Sequence, residues 1–238
     1  MSKEKYTHII AIIDRSGSMT GIKADMEGGF DSFVKEQGGV EGEATLTLAQ
    51  FDTEYEIVHD NIAITDVPKF QLTPRGGTAL LDAIGRTLST ERERINKMDE
   101  DKRPSKIICV VITDGQENSS HEYNRKRVFE MVSDLEGEED PQWDFVFLGA
   151  NQDAIAEGGG MGVIRSKAMT YDATSDGTRA AFKSLSKNMT MYRCSASGVE
   201  YSFDDNDRKV QEDLINKKSK FEKAIPSYVS DLNGTRED

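Results

Sequence analysis

Three runs of apolar residues constrain the fold of this chain more than any other feature. They are THIIAII at 7–13, KIICVVIT at 106–113 and DFVFL at 144–148. Continuous runs of this length, rich in β-branched and aromatic residues, are typical of strands that are buried on both faces of a parallel sheet. Because longer segments with helical spacing separate them, we predict an α/β fold: a doubly wound, mostly parallel, Rossmann-like sheet with helices on both faces.

The remaining elements follow from the same patterns. We predict helices over 21–37, 78–97, 123–135, 153–157 and 175–193, and further strands over 44–51, 54–59 and 167–171. The strand at 54–59 follows the preceding one after two residues, so it is expected to be antiparallel at the sheet edge. Residues 1–203 are predicted to form one domain. The charged segment 204–238 is expected to be a helix or a mobile tail, since its apolar anchors are few: Leu214, Ile215, Phe221, Ile225 and Tyr228.

Charge and cysteine content narrow the class of function. The formal net charge is -13, which argues against binding to nucleic acid or to an anionic membrane. No apolar run approaches the roughly 20 residues that span a bilayer, and the N-terminus lacks the apolar core of a signal peptide. Cys109 lies in a predicted buried strand and Cys194 lies far from it in the sequence. We therefore expect no disulfide and a cytoplasmic location.

Oxygen-bearing side chains cluster in the loop that follows the first buried run. Asp14, Ser16 and Ser18 are spaced two residues apart, and Gly17 permits a tight backbone path between the two serines. Alternate side chains of such a loop can converge on one point. Carboxylate and hydroxyl oxygens are donors that Mg²⁺ accepts, in near-octahedral geometry at about 2.0–2.1 Å. The loop therefore predicts a site for a divalent metal.

Two further segments offer oxygen donors to the same point. Thr78 follows two glycines and is predicted to open a helix, while Asp114 follows the second buried run. If the strands at 7–13 and 106–113 are neighbours, Asp14 and Asp114 emerge in the crevice where the strand order reverses, which is where ligands bind in open α/β sheets.

Each of these residues also has a purely structural interpretation. The aspartate and the serines of the first loop are common helix N-caps, Thr78 alone would be an N-cap, and Asp114 with Gly115 alone would be a turn. A serine nucleophile is disfavoured because no G-x-S-x-G elbow is present. His8 and His59 are interpreted as structural. His121 could border the metal site. The glycine-rich stretch 158–162 is interpreted as a helix end, since it lacks the context of a phosphate-binding loop.

The motifs DRSGSM, GGTAL and TDG, in this order, resemble the metal-ion-dependent adhesion site (MIDAS) of von Willebrand factor A (VWA) domains. The similarity covers roughly the first 193 residues. FLGANQDAIAEGGGMG and MTYDAT resemble an intracellular bacterial and bacteriophage subgroup, which implies a host cytoplasm for a bacteriophage protein. The resemblance implies a complete site in which the metal is held, directly or through water, by Asp14, Ser16, Ser18, Thr78 and Asp114.

The same resemblance implies a binding function. We expect Mg²⁺, with Mn²⁺ and Ca²⁺ as alternatives, to coordinate an Asp or Glu carboxylate of a protein partner, without catalysis. Two alternatives remain open. One is an acidic structural or inhibitory protein whose metal stabilises the fold. The other is a Mg²⁺-dependent phosphohydrolase with Asp14 as nucleophile, which is disfavoured because Ser16 stands where a second aspartate would be needed.

Overall fold

A six-stranded sheet organises the chain. The computed structural model describes residues 6–151, 153–196 and 198–233, with side chains up to residue 219. The strands are β1 (Tyr6–Asp14), β2 (Glu43–Phe51), β3 (Tyr55–Ala63), β4 (Lys106–Thr113), β5 (Gln142–Ala150) and β6 (Ala168–Tyr171). Their order is β3-β2-β1-β4-β5-β6, and β3 is antiparallel to β2 while all other neighbours are parallel. The predicted mostly parallel sheet with one antiparallel edge strand is confirmed.

Helices cover both faces of this sheet. They are α1 (Lys23–Gly38), α2 (Leu80–Lys97), α3 (Arg125–Glu136), α4 (Ala154–Gly159), α5 (Ser175–Cys194) and α6 (Asp205–Asn233). Every residue of β1 and β4 is buried. Along β1, Ile9 and Ile13 join the core beneath α1 and α5, whereas Ile10 and Ile12 join the core beneath α2 and α3. The uninterrupted apolar runs are therefore explained by burial on two faces.

The predicted helix boundaries differ from the observed ones by up to two residues, and three of these differences have a physical cause. Helix α2 begins at Leu80 instead of residue 78, because the loop before it is held by contacts to a distant segment. Helix α3 begins at Arg125, where the Asn124 side chain accepts a hydrogen bond from the Arg127 amide at 3.0 Å and caps the helix. Helix α4 includes Gly158, predicted to end it; this glycine packs on β5, where an added Cβ would lie 3.2 Å from Phe147.

The charged C-terminal segment forms α6, and its first half packs on the domain. The Asp207 carboxylate accepts a hydrogen bond from Asn188 Nδ2 at 2.7 Å, and Gln211 Nε2 donates to the Gly177 carbonyl at 3.0 Å. These contacts tie α6 to α5 through buried polar groups. Three of the predicted anchors, Phe221, Ile225 and Tyr228, lie outside the residues whose side chains are described, as do residues 234–238. The division of the chain at residue 203 stays a prediction.

Two further expectations concern cysteines and membranes. Cys109 and Cys194 are both free thiols, the first buried in β4 and the second exposed. None of the described helices combines the length and the apolar composition that a bilayer span needs.

Candidate metal centre

The site lies at the carboxyl ends of the two central strands. Strands β1 and β4 are hydrogen-bonded neighbours, with Ile13 opposite Ile112, and the strand order reverses between them. Asp14 is the last residue of β1, and Asp114 comes directly after β4. The two carboxylates therefore emerge side by side in the crevice where parallel α/β sheets bind their ligands.

Hydrogen bonds connect four of the five predicted site residues. The Asp14 Oδ1 atom accepts the Ser16 amide at 2.6 Å, and the hydroxyls of Ser16 and Ser18 lie 2.9 Å apart. The Ser18 hydroxyl donates to Asp114 Oδ1 at 2.6 Å. Asp14 and Ser16 are buried, Asp114 is half-buried and Ser18 is exposed, so the cluster opens toward solvent on the Ser18 side.

The fifth residue, Thr78, joins the cluster beside Gly115. A Cβ atom added to Gly115 would lie 2.8 Å from Thr78 Oγ1, 3.6 Å from Ser18 Oγ and 3.7 Å from Asp14 Oδ2. Oxygens from three loops thus surround one small space, which the absence of a side chain at residue 115 leaves free. The structure brings all five predicted site residues together.

The donor set is suited to a hard cation. It consists of two carboxylates and three hydroxyls, which are oxygen ligands of the kind that Mg²⁺, Mn²⁺ and Ca²⁺ accept. Within the described ranges no group of three or more His, Cys, Asp or Glu side chains is placed to hold a metal. This cluster differs from such groups because hydroxyls supply most of its donors.

The electrostatics of the two carboxylates also suit a cation. Burial raises the pKa of Asp14 from 3.8 to about 6, against the opposing hydrogen bonds from Thr113 and Ser16. Burial likewise raises the pKa of Asp114, which the hydrogen bond from Ser18 partly offsets. Two neighbouring carboxylates that lose solvation gain by sharing a cation, since an opposite charge favours their ionised forms.

Residues other than the five predicted ligands hold the donors in place, and two of them, Thr113 and Asn118, act directly on predicted ligands. Thr113 Oγ1 donates to Asp14 Oδ2 at 2.6 Å, which orients that carboxylate. Asn118 contacts both backbone groups of Thr78. Its side-chain Oδ1 accepts a hydrogen bond from the Thr78 amide at 2.9 Å, and its backbone amide donates to the Thr78 carbonyl at 3.0 Å. Thr78 is therefore fixed by the loop after β4.

The Glu117 carboxylate braces the same loop against α2. It accepts the amides of Ser119 and Ser120 and also the amide of Leu81, at 2.9 Å, in the first turn of α2. An acidic side chain at this helix end also interacts favourably with the helix dipole.

The first two donor loops are joined by backbone contacts. The Arg75 amide donates to the Arg15 carbonyl at 2.8 Å, and the Gly17 amide donates to the Gly76 carbonyl at 3.2 Å. Gly76 has φ +67°, a conformation that glycine adopts without strain. Asp52, which sequence reasoning missed, lies against the same two loops. The sequence signal that could have found Asp52 is its position directly after β2, because Asp14 and Asp114 stand at the corresponding ends of β1 and β4.

The histidines contribute no donor contact to this cluster among the described residues. His8 is fully buried, with Nδ1 2.8 Å from Thr45 Oγ1 and Nε2 3.2 Å from Glu91, and burial lowers its pKa. His59 lies in the edge strand β3. His121, considered as a border residue, has an exposed side chain and donates its amide to Asp82.

Comparison with known proteins identifies the fold. No family model and no curated protein matches this sequence. Among solved structures, crystal form 2 of proximal thread matrix protein 1 from the mussel byssus has a TM-score of 0.57 and 15% identity over 79% of this chain and 46% of that chain. The same mussel protein with a zinc-occupied MIDAS motif has a TM-score of 0.55 and 15% identity over 78% of this chain and 46% of that chain.

A second similar structure comes from a bacterium. The vWF domain of the type V pili tip protein Mfa5 from Porphyromonas gingivalis has a TM-score of 0.51 and 11% identity over 81% of this chain and 98% of that chain. This chain spans about half the length of the mussel protein and matches nearly the whole bacterial domain. The strand order, the flanking helices and these similarities lead to one conclusion: the chain has the fold of a von Willebrand factor A domain.

Proposed function

We propose that this chain is a metal-dependent protein-binding module. In this proposal the five clustered residues, Asp14, Ser16, Ser18, Thr78 and Asp114, form a complete adhesion-type metal site and hold Mg²⁺ directly or through water. The observation that carries the proposal is the convergence of oxygens from three loops on the space beside Gly115. The zinc-occupied motif of the mussel protein supports a divalent metal at a site of this kind.

The charge of the donors supports capture of an acidic partner. Two carboxylates balance one divalent cation, and the three hydroxyls add no charge, so a bound metal keeps affinity for one more anionic oxygen. Asp114 is half-buried and Ser18 is exposed, which leaves an approach from solvent. An Asp or Glu carboxylate of a protein partner fits this position, because hard cations favour carboxylate oxygens. Mn²⁺ and Ca²⁺ are the alternatives to Mg²⁺.

A binding role without catalysis agrees with the surroundings of Asp14. The Asp14 carboxylate accepts hydrogen bonds from the Ser16 amide, the Ser16 hydroxyl and the Thr113 hydroxyl, none of which is a general base or a cation. The second aspartate that a phosphohydrolase would place two residues later is replaced by Ser16. We therefore propose that the ligand is a protein, and not a phosphoester substrate, a nucleic acid or a membrane. The cytoplasmic location and the bacterial or bacteriophage subgroup stay predictions.

Affinity capture tests this function. The protein is used to capture partners from a cell lysate. Wild type in Mg²⁺ is compared with wild type in EDTA and with Asp14→Ala in Mg²⁺. The matched control is Asp99→Ala, which replaces an exposed aspartate outside the candidate site. We expect a partner that is retained by wild type and Asp99→Ala only in Mg²⁺, and whose retention is lost when its contacting Asp or Glu is replaced. Equal retention in EDTA and by Asp14→Ala would overturn the proposal.

Calorimetric Mg²⁺ titration and circular dichroism of the same variants separate binding from folding. We expect Asp14→Ala to remain folded without metal and to lose Mg²⁺ binding. A protein that unfolds when Mg²⁺ is removed would instead support a metal that stabilises the fold. Hydrolysis of a generic phosphate ester by wild type, abolished in Asp14→Ala, would support the phosphohydrolase.

A further inference from the structure

A buried carboxylate outside the five-residue cluster is shared by two arginines. Asp52 is 1% exposed. Its Oδ2 atom accepts a hydrogen bond from Arg15 Nε at 2.7 Å and another from Arg75 Nε at 2.9 Å. The Oδ1 atom accepts the Glu54 amide at 2.7 Å, and the Asp52 carbonyl accepts the Ala79 amide at 2.9 Å. Asp52 is thus fully engaged in holding neighbouring segments.

The two arginines belong to the loops that carry the metal donors. Arg15 stands between Asp14 and Ser16, and Arg75 precedes the two glycines that lead to Thr78. Because one carboxylate oxygen binds both guanidinium groups, Asp52 links the two loops through their side chains. The backbone contacts between these loops act in parallel with this link.

The contacts of Asp52 also neutralise a buried positive charge beside the candidate metal site. The Arg15 side chain is only 8% exposed, so a poorly solvated positive charge lies one residue from Asp14. A buried cation beside a metal site repels the incoming metal more strongly than one in water, since the local dielectric is low. Asp52 neutralises this charge from within the protein. Glu56, 57% exposed, pairs with the other end of Arg15 at 2.6 Å and contributes less because solvent screens it.

We propose that Asp52 is a positioning residue for the metal site. Its side chain acts on the donors through Arg15 and Arg75: it fixes the two loops relative to each other and cancels positive charge beside the metal. This inference rests on the proposed function, because it assumes that the five-residue cluster binds a metal. Loss of a group that hydrogen-bonds a metal ligand typically lowers metal affinity by about 10- to 100-fold. Because the Asp52 side chain acts one residue further from the ligands, we expect Asp52→Asn to raise the Kd for Mn²⁺ by about tenfold, the lower end of that range.

The test measures Mn²⁺ affinity by electron paramagnetic resonance, with Mg²⁺ as competitor and circular dichroism as the check of folding. Glu54→Gln is the matched control, because the Glu54 side chain is 71% exposed and pairs with the outer nitrogen of Arg75, at 2.5 Å, while its backbone contacts to Asp52 do not depend on the side chain. We expect its Kd to stay within about twofold of wild type, as for exposed ion pairs. A Kd rise equal to that of Asp52→Asn would overturn the proposal.

A double variant separates charge cancellation from general loosening. In Asp52→Asn/Arg75→Gln one uncompensated cation is removed together with the carboxylate. We expect the double variant to bind Mn²⁺ more tightly than Asp52→Asn alone. A purely structural contact would give the opposite result, a double variant at least as weak as the single one, and that result would overturn the charge-cancelling role.

The outcomes for this inference and for the proposed function are distinguishable. If wild type binds no Mn²⁺, the proposed function fails, and this inference fails with it. If wild type binds, Asp14→Ala does not, and folded Asp52→Asn binds within twofold of wild type, only this inference fails. If Asp52→Asn does not fold, Glu56→Gln tests the charge-cancelling role, because Glu56 pairs with Arg15, which is buried one residue from Asp14, whereas Glu54 pairs with the exposed Arg75. We expect the Kd of Glu56→Gln to rise by about threefold and to exceed that of Glu54→Gln, and equal Kd values for the two variants would overturn the inference.

Discussion

Gly115→Ala separates metal binding from folding. The added methyl group would lie 2.8 Å from Thr78 Oγ1, whereas ordinary contacts begin at 3.4 Å. If Gly115 keeps its position, Thr78 Oγ1 must move by about 0.6 Å, the difference between the two distances. Mg²⁺ demands oxygens at about 2.0–2.1 Å in near-ideal geometry, so a donor displaced to about 2.7 Å no longer coordinates it.

The size of the effect follows from this geometry. Loss of a well-placed donor, with further crowding near Ser18 and Asp14, is expected to raise the Kd for Mg²⁺ at least about tenfold, equivalent to about 1.4 kcal/mol. Ca²⁺ accepts oxygens at about 2.3–2.6 Å in flexible geometry and should lose less affinity. The backbone at Gly115 does not have a positive φ, so alanine reduces the entropy of the unfolded chain. The free energy of unfolding without metal should change by less than about 1 kcal/mol.

Calorimetric titration with Mg²⁺ and with Ca²⁺, and urea unfolding in EDTA, measure these quantities. Gly21→Ala is the matched control, because a Cβ at Gly21 meets no atom within 4 Å; it should bind both metals as wild type does. The reasoning is refuted if Gly115→Ala binds Mg²⁺ as tightly as wild type while Asp14→Ala does not. The metal would then not lie beside Gly115.

Three more predictions follow from the site and its supports. Asn118→Ala should weaken Mg²⁺ binding and lower the free energy of unfolding by about 0.5–1.5 kcal/mol, the net contribution of one hydrogen bond, because the Thr78 amide loses its acceptor at an exposed side chain; calorimetry and urea unfolding measure both. Mg²⁺ at 100 times its Kd should stabilise wild type by about 2.7 kcal/mol and leave Asp14→Ala unchanged in thermal unfolding. Asp82→Asn should destabilise the protein at pH 7, because three amides, those of residues 121–123, donate to this carboxylate and hold its pKa below 3.8, against the opposing effect of burial. Since a lowered folded pKa stabilises the protein above the unfolded value, the difference between wild type and Asp82→Asn should disappear as the pH falls from about 4 through the folded pKa in urea titrations.

Each of these predictions has a result that contradicts it. An Asn118→Ala protein with unchanged Mg²⁺ affinity would mean that the backbone of Thr78 needs no support. A thermal shift in Asp14→Ala as large as in wild type would place the stabilising metal elsewhere. A constant difference between Asp82→Asn and wild type down to pH 2 would show that the Asp82 charge contributes nothing to stability.

Local sequence patterns were sufficient for the sheet and for most of the helices. The runs at 7–13, 106–113 and 144–148 are apolar without alternation, and the structure buries them on both faces. Such patterns depend only on the tendency of apolar side chains to be buried away from water. They can therefore be recognised in the sequence without knowing which elements pack against them. The five candidate metal ligands could also be recognised from the sequence, because each lies in a short contiguous motif beside one of these elements.

Tertiary contacts decided the remainder. Helix α2 begins at Leu80 instead of Thr78, because the Thr78 carbonyl accepts the backbone amide of Asn118, 40 residues away in the chain, and the Asp82 amide, its partner in a longer helix, donates to Ser120 Oγ. Asp52 binds Arg15 across a separation of 37 residues. No periodicity or motif points to Asn118, and the position of Asp52 directly after β2 does not reveal which residues it binds. A charged or amide side chain acquires such a role only when the completed sheet brings distant loops together at the ends of its central strands, and hydrogen-bond geometry then selects which of the polar residues there can reach one another.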